Sequence, residues 1–366
     1  MKRLFGAIAG GVSMSLLCVS LLCMSLLCVS GLSHEVNAAP REQPAWARAM
    51  TPAGGEAKAI GSYAGGCIQG ARALPERGTG FRSIRRHRNR YYGHPELIDF
   101  LQKFGERVAA AELEDVEIGD LSQPRGGLMS FGHRSHQVGL DADLWFGASE
   151  RYRRGEERRR QRALEQRAEG EEPSQRERFN VRNPSTLQHG RERIDPKVWS
   201  DRHRQFLRWA AEDERVARIF VNWVIKAQLC RERQRSTGEA AAESEWGWLR
   251  KIRPWYGHDQ HFHVRLRCPS GSEHCQNQGA LPPGDSCGKE RWFSYASLRR
   301  RKAATARAAE ERAAARAAMS PRERRRARAA DRRKAEAKAA AKRRRTEPIN
   351  RRCAALTDPP PAGEAK

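Results

Sequence analysis

Five of the eleven histidines in this 366-residue chain fall in two short stretches. His133 and His136 precede Asp141 and Asp143 in the first, and His258, His261 and His263 make up the second. Imidazole nitrogens with a carboxylate suit zinc, and a site of three protein ligands keeps a fourth position for water, which marks catalysis rather than structure. Zinc in such a site lowers the pKa of water to about 7 and polarises a carbonyl. The chemistry predicted is hydrolysis. A single histidine, or an Asp-x-Asp alone, says little; the two clusters together carry the reading. No His-Glu-x-x-His sequence occurs, which excludes the helix-borne metalloprotease arrangement.

Elements that could hold these side chains are visible around them. From His261 to Arg267 polar and apolar residues alternate, the pattern of a half-buried strand. On it His261, His263 and Arg265 share one face, and Phe262, Val264 and Leu266 face the core. Leu140 to Phe146 alternates in the same way, with Asp141 and Asp143 on one face, after a turn at Gly139. His136 from the turn and Asp143 from the strand could converge on one ion, with a histidine of the second strand as third ligand. Leu97, Ile98, Leu101 and Phe104 have helical spacing, Val116 to Asp120 is a short strand ended by turn residues, and Val216 to Asn222 is a further strand.

Lys2 and Arg3 lead into an apolar run from Leu4 to about Leu32, and Val36 and Ala38 suit signal-peptide cleavage. Residues 1–38 are read as a removed export signal, with an uncleaved membrane anchor as the alternative. Three of the nine cysteines go with the signal, each preceded by Leu rather than by the small residue a lipid attachment site would have. Cys67, Cys230, Cys268, Cys275, Cys287 and Cys353 remain, and an even number in an exported chain predicts three disulfides with fifteen possible pairings.

The net charge of +25 is concentrated: from Arg299 to Arg345 there are 20 Lys+Arg against 5 Asp+Glu, a net +15. A basic exported protein has anionic envelope polymers as electrostatic partners, and export argues against nucleic acid. The mean hydropathy of −0.80 shows how much of the chain is solvated. Ser320-Pro321-Arg-Glu323 is a capping box with proline at the first helical position, predicting one helix ending near Met319 and another starting there.

The spacing of His136, Asp143, His261 and His263 resembles zinc peptidases of the lysostaphin, D-alanyl-D-alanine peptidase and hedgehog type. Gly66 to Ala71, Arg90 to Leu97, Arg218 to Asn222, Trp248 to Trp255 and Val264 to Pro269 narrow the resemblance to the penicillin-insensitive murein endopeptidases, over most of residues 60–290. It implies zinc held by His136, Asp143 and His263, with His261 as general base and His258 beside it stabilising charge. His133 matches a histidine that can join a second metal site, whose other ligands have no secure match here. The implied disulfides are Cys67 with Cys353, Cys230 with Cys287, and Cys268 with Cys275. The implied substrate is the D-alanyl to meso-diaminopimelyl cross-link of peptidoglycan, cut in the periplasm without a serine nucleophile.

The expected fold is α+β, a mostly antiparallel central sheet carrying the zinc ligands, flanked by helices and long loops and stapled by disulfides. The expected organisation is a signal at 1–38, a linker at 39–60 and a zinc endopeptidase domain at 61–298 with a charged insert at 147–193. A basic helical or disordered segment at 299–346 and a tail at 347–366 carrying Cys353 complete it. Two other activities compete: a carboxypeptidase or dipeptidase of the same zinc type, and a non-catalytic cationic envelope-binding protein. His94 and Trp255 could pack or cap, and Arg265 could bind a substrate carboxylate or, the preferred reading, pair locally.

Overall fold

Alternation along two segments builds the centre of the molecule. In a computed structural model of the chain, Asp141–Trp145 (β8) and His261–Leu266 (β11) pair antiparallel, with His263 opposite Asp143, Arg265 opposite Asp141 and His261 opposite Trp145. Phe262, Val264, Leu266, Ala142 and Leu144 enter the hydrophobic core from one face of this pair. The other face is buried too, so these strands are enclosed rather than half-exposed.

The structure describes residues 44–147, 183–189, 192–236 and 245–357, with isolated positions between 154 and 165. These residues belong to the unit Gln43–Lys366. The signal expected at 1–38, most of the insert at 147–193 and the end of the tail lie outside the described residues. Among those described, no helix is long and apolar enough to cross a membrane.

Among the described residues, twelve strands form three sheets. The remaining ones are Lys58–Ser62 (β1), Gly65–Gln69 (β2), Arg72–Ala73 (β3), Arg77–Gly78 (β4), Phe81–Ser83 (β5) and Tyr92–Gly93 (β6). Val116–Ile118 (β7), Val216–Asn222 (β9), Ile252–Trp255 (β10) and Cys275–Gln276 (β12) complete the set. The main sheet has the order β10-β9-β11-β8-β7-β5-β4, with β12-β1-β2 and β3-β6 as smaller sheets. β1 takes up Lys58, Ala59 and Ile60, the last residues of the stretch read as a linker.

The class is α+β, but the main sheet is mixed where a mostly antiparallel one was expected. β10 lies parallel to β9, and β5 parallel to β7. Each parallel pair is joined through a helix, as parallel neighbours require a crossover. After a single helical turn at Ala45–Arg48 (α1), these helices are Pro95–Ala110 (α2) between β5 and β7, and Trp223–Arg235 (α4) between β9 and β10. Asp201–Glu212 (α3) lies between the insert and β9.

α2 starts where His94 accepts a hydrogen bond from the Glu96 amide at 3.3 Å, with Pro95 in the first turn. His94 therefore caps. The buried stripe of α2 (Leu97, Ile98, Leu101, Phe104 and Val108) meets the sheet through Phe262, 6.4 Å from Phe104 between ring centres, and meets α3 through Phe206 at 5.7 Å. Each fully buried side chain of this kind stabilises the fold by about 1.5–3 kcal/mol, more than a cap contributes. The core decides the fold, and the caps decide where elements begin.

The basic segment forms two helices, Tyr295–Ala318 (α5) and Pro321–Ala354 (α6). Ser320 and Glu323 make the reciprocal capping box between them. Three disulfides close the fold: Cys67–Cys353, Cys230–Cys287 and Cys268–Cys275. These are the pairings that the resemblance implied.

Candidate metal centre and active site

The polar face of the β8–β11 pair collects all six residues singled out in the sequence. His136 is delivered by a tight loop before β8, where it adopts φ of 68°. Its amide donates to Asp141 Oδ2 at 3.0 Å, which holds that conformation. Gly139, also at positive φ, completes the turn: a Cβ there would lie 2.4 Å from Ile68 and 2.9 Å from the His94 amide. Only glycine fits that turn.

His136 Nε2, His263 Nδ1 and Asp143 Oδ1 form a nearly equilateral triangle. The nitrogens are 3.3 Å apart, and each is 3.4 Å from the carboxylate oxygen. Asp143 Oδ1 is buried and accepts no hydrogen bond. His263 donates from its far nitrogen to Asp141 Oδ1 at 2.9 Å, so its near nitrogen presents a lone pair. On the other side of Asp143, His133 Nε2 is 3.4 Å from Oδ2 and also 3.4 Å from Asp120 Oδ2. His133, His136 and Asp143 offer ligand atoms within 4.8 Å of one another, so this cluster could hold a metal ion.

His261 Nε2 stands 3.6 Å from Asp143 Oδ2, its ring 5.0 Å from those of Trp145 and His258. The His258 Nδ1–H donates to the Tyr256 carbonyl at 2.7 Å, which leaves Nε2 as the acceptor. Burial pushes His261 down to about 4 and His263 down to about 3, so both rings are neutral at pH 7 and keep the lone pair that ligation or base catalysis needs. His133 goes the other way: burial opposes its charge, but Asp143 and Asp120 outweigh burial and raise it. Burial also opposes charge on Asp143, yet the surrounding histidines hold it well below the usual carboxylate range.

Three further residues complete the site. Asp141 is fully buried and accepts from Arg265 Nε at 2.7 Å as well as from His263. Arg265 therefore pairs locally. Burial works against the charge of Asp141, but Arg265 and His263 keep it well below its ordinary value. Asp120, beyond β7, binds Arg88 at 3.2 Å and Arg90 at 3.1 Å as well as His133. Burial is again outweighed, and its carboxyl is held down at about 2. At the edge, Asn183 from the end of the insert donates to Glu117 at 2.6 Å, and Thr186 donates to the Asp259 carbonyl at 2.7 Å.

Residues 59–325 match the penicillin-insensitive murein endopeptidase family. The chain belongs to this family. It is 42% identical over 243 residues to a Haemophilus influenzae protein named penicillin-insensitive murein endopeptidase, covering 65% of this chain and 74% of that one. A Klebsiella pneumoniae protein of the same name is 39% identical over 250 residues, 68% of this chain and 81% of its own length. A peptidase family together with a buried cluster able to bind a metal makes the protein a metallopeptidase. Asp120, which pairs with His133, carries no ligand signal in the sequence, where it closes the short Val116 to Asp120 strand among turn residues. Asp141 was placed on the right face without a role; its alternation with Asp143 was the available signal.

Proposed function

We propose that the protein is a zinc-dependent murein endopeptidase that hydrolyses D-alanyl to meso-diaminopimelyl cross-links of peptidoglycan in the periplasm. The observation that carries this reading is the triangle of His136 Nε2, Asp143 Oδ1 and His263 Nδ1, with edges of 3.3–3.4 Å. Bonds of about 2.0–2.1 Å to a tetrahedral zinc require ligand atoms roughly 3.3–3.4 Å apart. Three convergent ligand atoms, one of them a buried oxygen without a hydrogen bond, fit that ion. His133 lies on the far side of Asp143 and belongs to a second cluster with Asp120.

Zinc held by this set supplies Lewis-acid polarisation of the scissile carbonyl and a water acidified to about pKa 7. His261, neutral and beside Asp143, takes the proton from the attacking water and passes it to the leaving amine. His258, fixed by the Tyr256 carbonyl, turns Nε2 toward the developing charge and stabilises it once protonated. Asp141 fixes the tautomer and orientation of His263. No serine nucleophile takes part, which accounts for indifference to penicillin.

His261→Ala separates catalysis from metal binding. Cross-link cleavage falls by about 10²–10⁴-fold with zinc content retained, whereas His263→Ala loses both. If His261→Ala cleaves sacculi at the wild-type rate, this site is not the one at work.

A further inference from the structure

Beyond the cluster, the rim of the site continues into surface that the proposed chemistry leaves unused. Trp255, at the end of β10, is 47% exposed, and Trp292 and Tyr295 are 59% and 57% exposed. Trp255 and Tyr295 are linked through Phe293 and Tyr256: Phe293 lies 5.6 Å from Trp255 and 5.9 Å from Tyr256 between ring centres, and Tyr256 lies 5.9 Å from Tyr295. Contiguous exposed aromatics mark a contact surface. Tyr256 also belongs to the catalytic rim, because its carbonyl receives the His258 proton donor.

The basic hairpin starts at this rim. Arg301 of α5 donates to the Tyr256 hydroxyl and lies 4.0 Å above the Trp292 ring. Ser297 is the only buried residue of α5, and α6 meets the domain at its far end through Ile349 and the Cys353–Cys67 bond. At about 1.5 Å per residue, the 24 and 34 residues of these helices span roughly 36 and 51 Å. They add little to the core. Their acids are largely spent within the hairpin: Glu323 in the cap, Asp331 with Arg316, and Glu336 with Arg332 at 3.8 Å. Most of the cations from Arg299 to Arg344 are exposed. With no apolar stripe, these helices lack what an amphipathic membrane-surface helix buries.

We propose that Trp255, Trp292, Tyr295 and the basic α5–α6 hairpin form one continuous docking surface for uncut, acidic glycan-peptide strands of the polymer that the site cleaves. Sugar rings stack on the aromatics, and stem-peptide carboxylates pair with arginine forks, which match a carboxylate in two places at once. Strands held this way raise the effective concentration of cross-links at the site. The inference rests on the murein endopeptidase reading for the identity of the polymer.

The test replaces six exposed cations, Arg325, Arg328, Arg333, Lys334, Lys338 and Lys342, by Gln, which preserves helix propensity. A separate variant is Trp292→Ala. Binding to isolated sacculi is read by sedimentation, independently of turnover, and KM and kcat are measured on sacculi and on soluble cross-linked dimers. Six-site replacement weakens sacculus binding and raises KM about tenfold at low salt, abolishes most of the salt response, and leaves kcat on soluble dimers unchanged. Trp292→Ala weakens sacculus binding without changing the salt response. Unchanged sedimentation in both variants overturns the proposal. So does loss confined to vesicles of anionic phospholipid, which would make a lipid surface the partner. Failure of the wild type to cleave either substrate sinks the endopeptidase reading, while the sedimentation result still decides docking.

Discussion

Asp141 ties three groups together: the His136 amide, the outer nitrogen of His263 and the Arg265 guanidinium. An asparagine there can present an amide N–H to His263, moving the ring proton onto the nitrogen that faces Asp143. Asp141→Asn therefore lowers zinc affinity by about 10–100-fold, read by competition with a chromophoric chelator. Unchanged affinity would show that the His263 tautomer is set elsewhere. Residue type and spacing alone brought out His133, His136, Asp143, His258, His261 and His263, because ligand chemistry restricts the usable side chains. Asp120 was not legible in that way. It reaches Asp143 because the chain beyond β7 keeps pairing with β8, the Gly119 amide donating to the Asp143 carbonyl at 2.9 Å and the Asp143 amide to the Asp120 carbonyl at 3.1 Å. No sequence interval encodes that neighbourhood.

Strands with one apolar face were the readable elements, since period-two alternation survives whatever covers the polar side. That cover was not readable: the polar face of β8 and β11 is enclosed by loops distant in sequence, so both faces are buried. The parallel pairs of the sheet were hidden as well, because they depend on where α2 and α4 return the chain. α4 carries Lys226, fully buried, with Nζ donating to the Leu249 carbonyl at 2.8 Å and to the Asp285 carbonyl at 2.7 Å. Burial pushes this amine from 10.5 down to about 7. Between these values the unfolded chain binds a proton that the folded chain does not, so wild-type stability rises with pH across that window. Lys226→Met removes the dependence. Its thermal midpoint compares better with the wild type at pH 6 than at pH 9, and an equal gap at both pH values would show that the amine stays charged in the folded protein.

At the scale of the whole molecule, the cysteine count predicted disulfides, the family resemblance supplied their pairing, and the structure contains all three. Cys353 returns to Cys67 across 286 residues, so the basic hairpin is closed onto the domain at both ends rather than trailing from it. Composition announced the helices through their Ala, Arg, Lys and Glu content and their capping box. It could not announce that they begin beside Tyr256, whose carbonyl holds His258, because that placement comes from Arg301 meeting Tyr256. The proposed activity is a zinc-dependent cut within the cross-link. The direct measurement is mass analysis of purified cross-linked muropeptide dimers incubated with the protein, with the protein after chelation, and with the chelated protein given back zinc. The expected result is conversion of dimers to monomers without free alanine, lost on chelation and restored by zinc. Free alanine from persisting dimers, or cleavage that ignores the chelator, would contradict it.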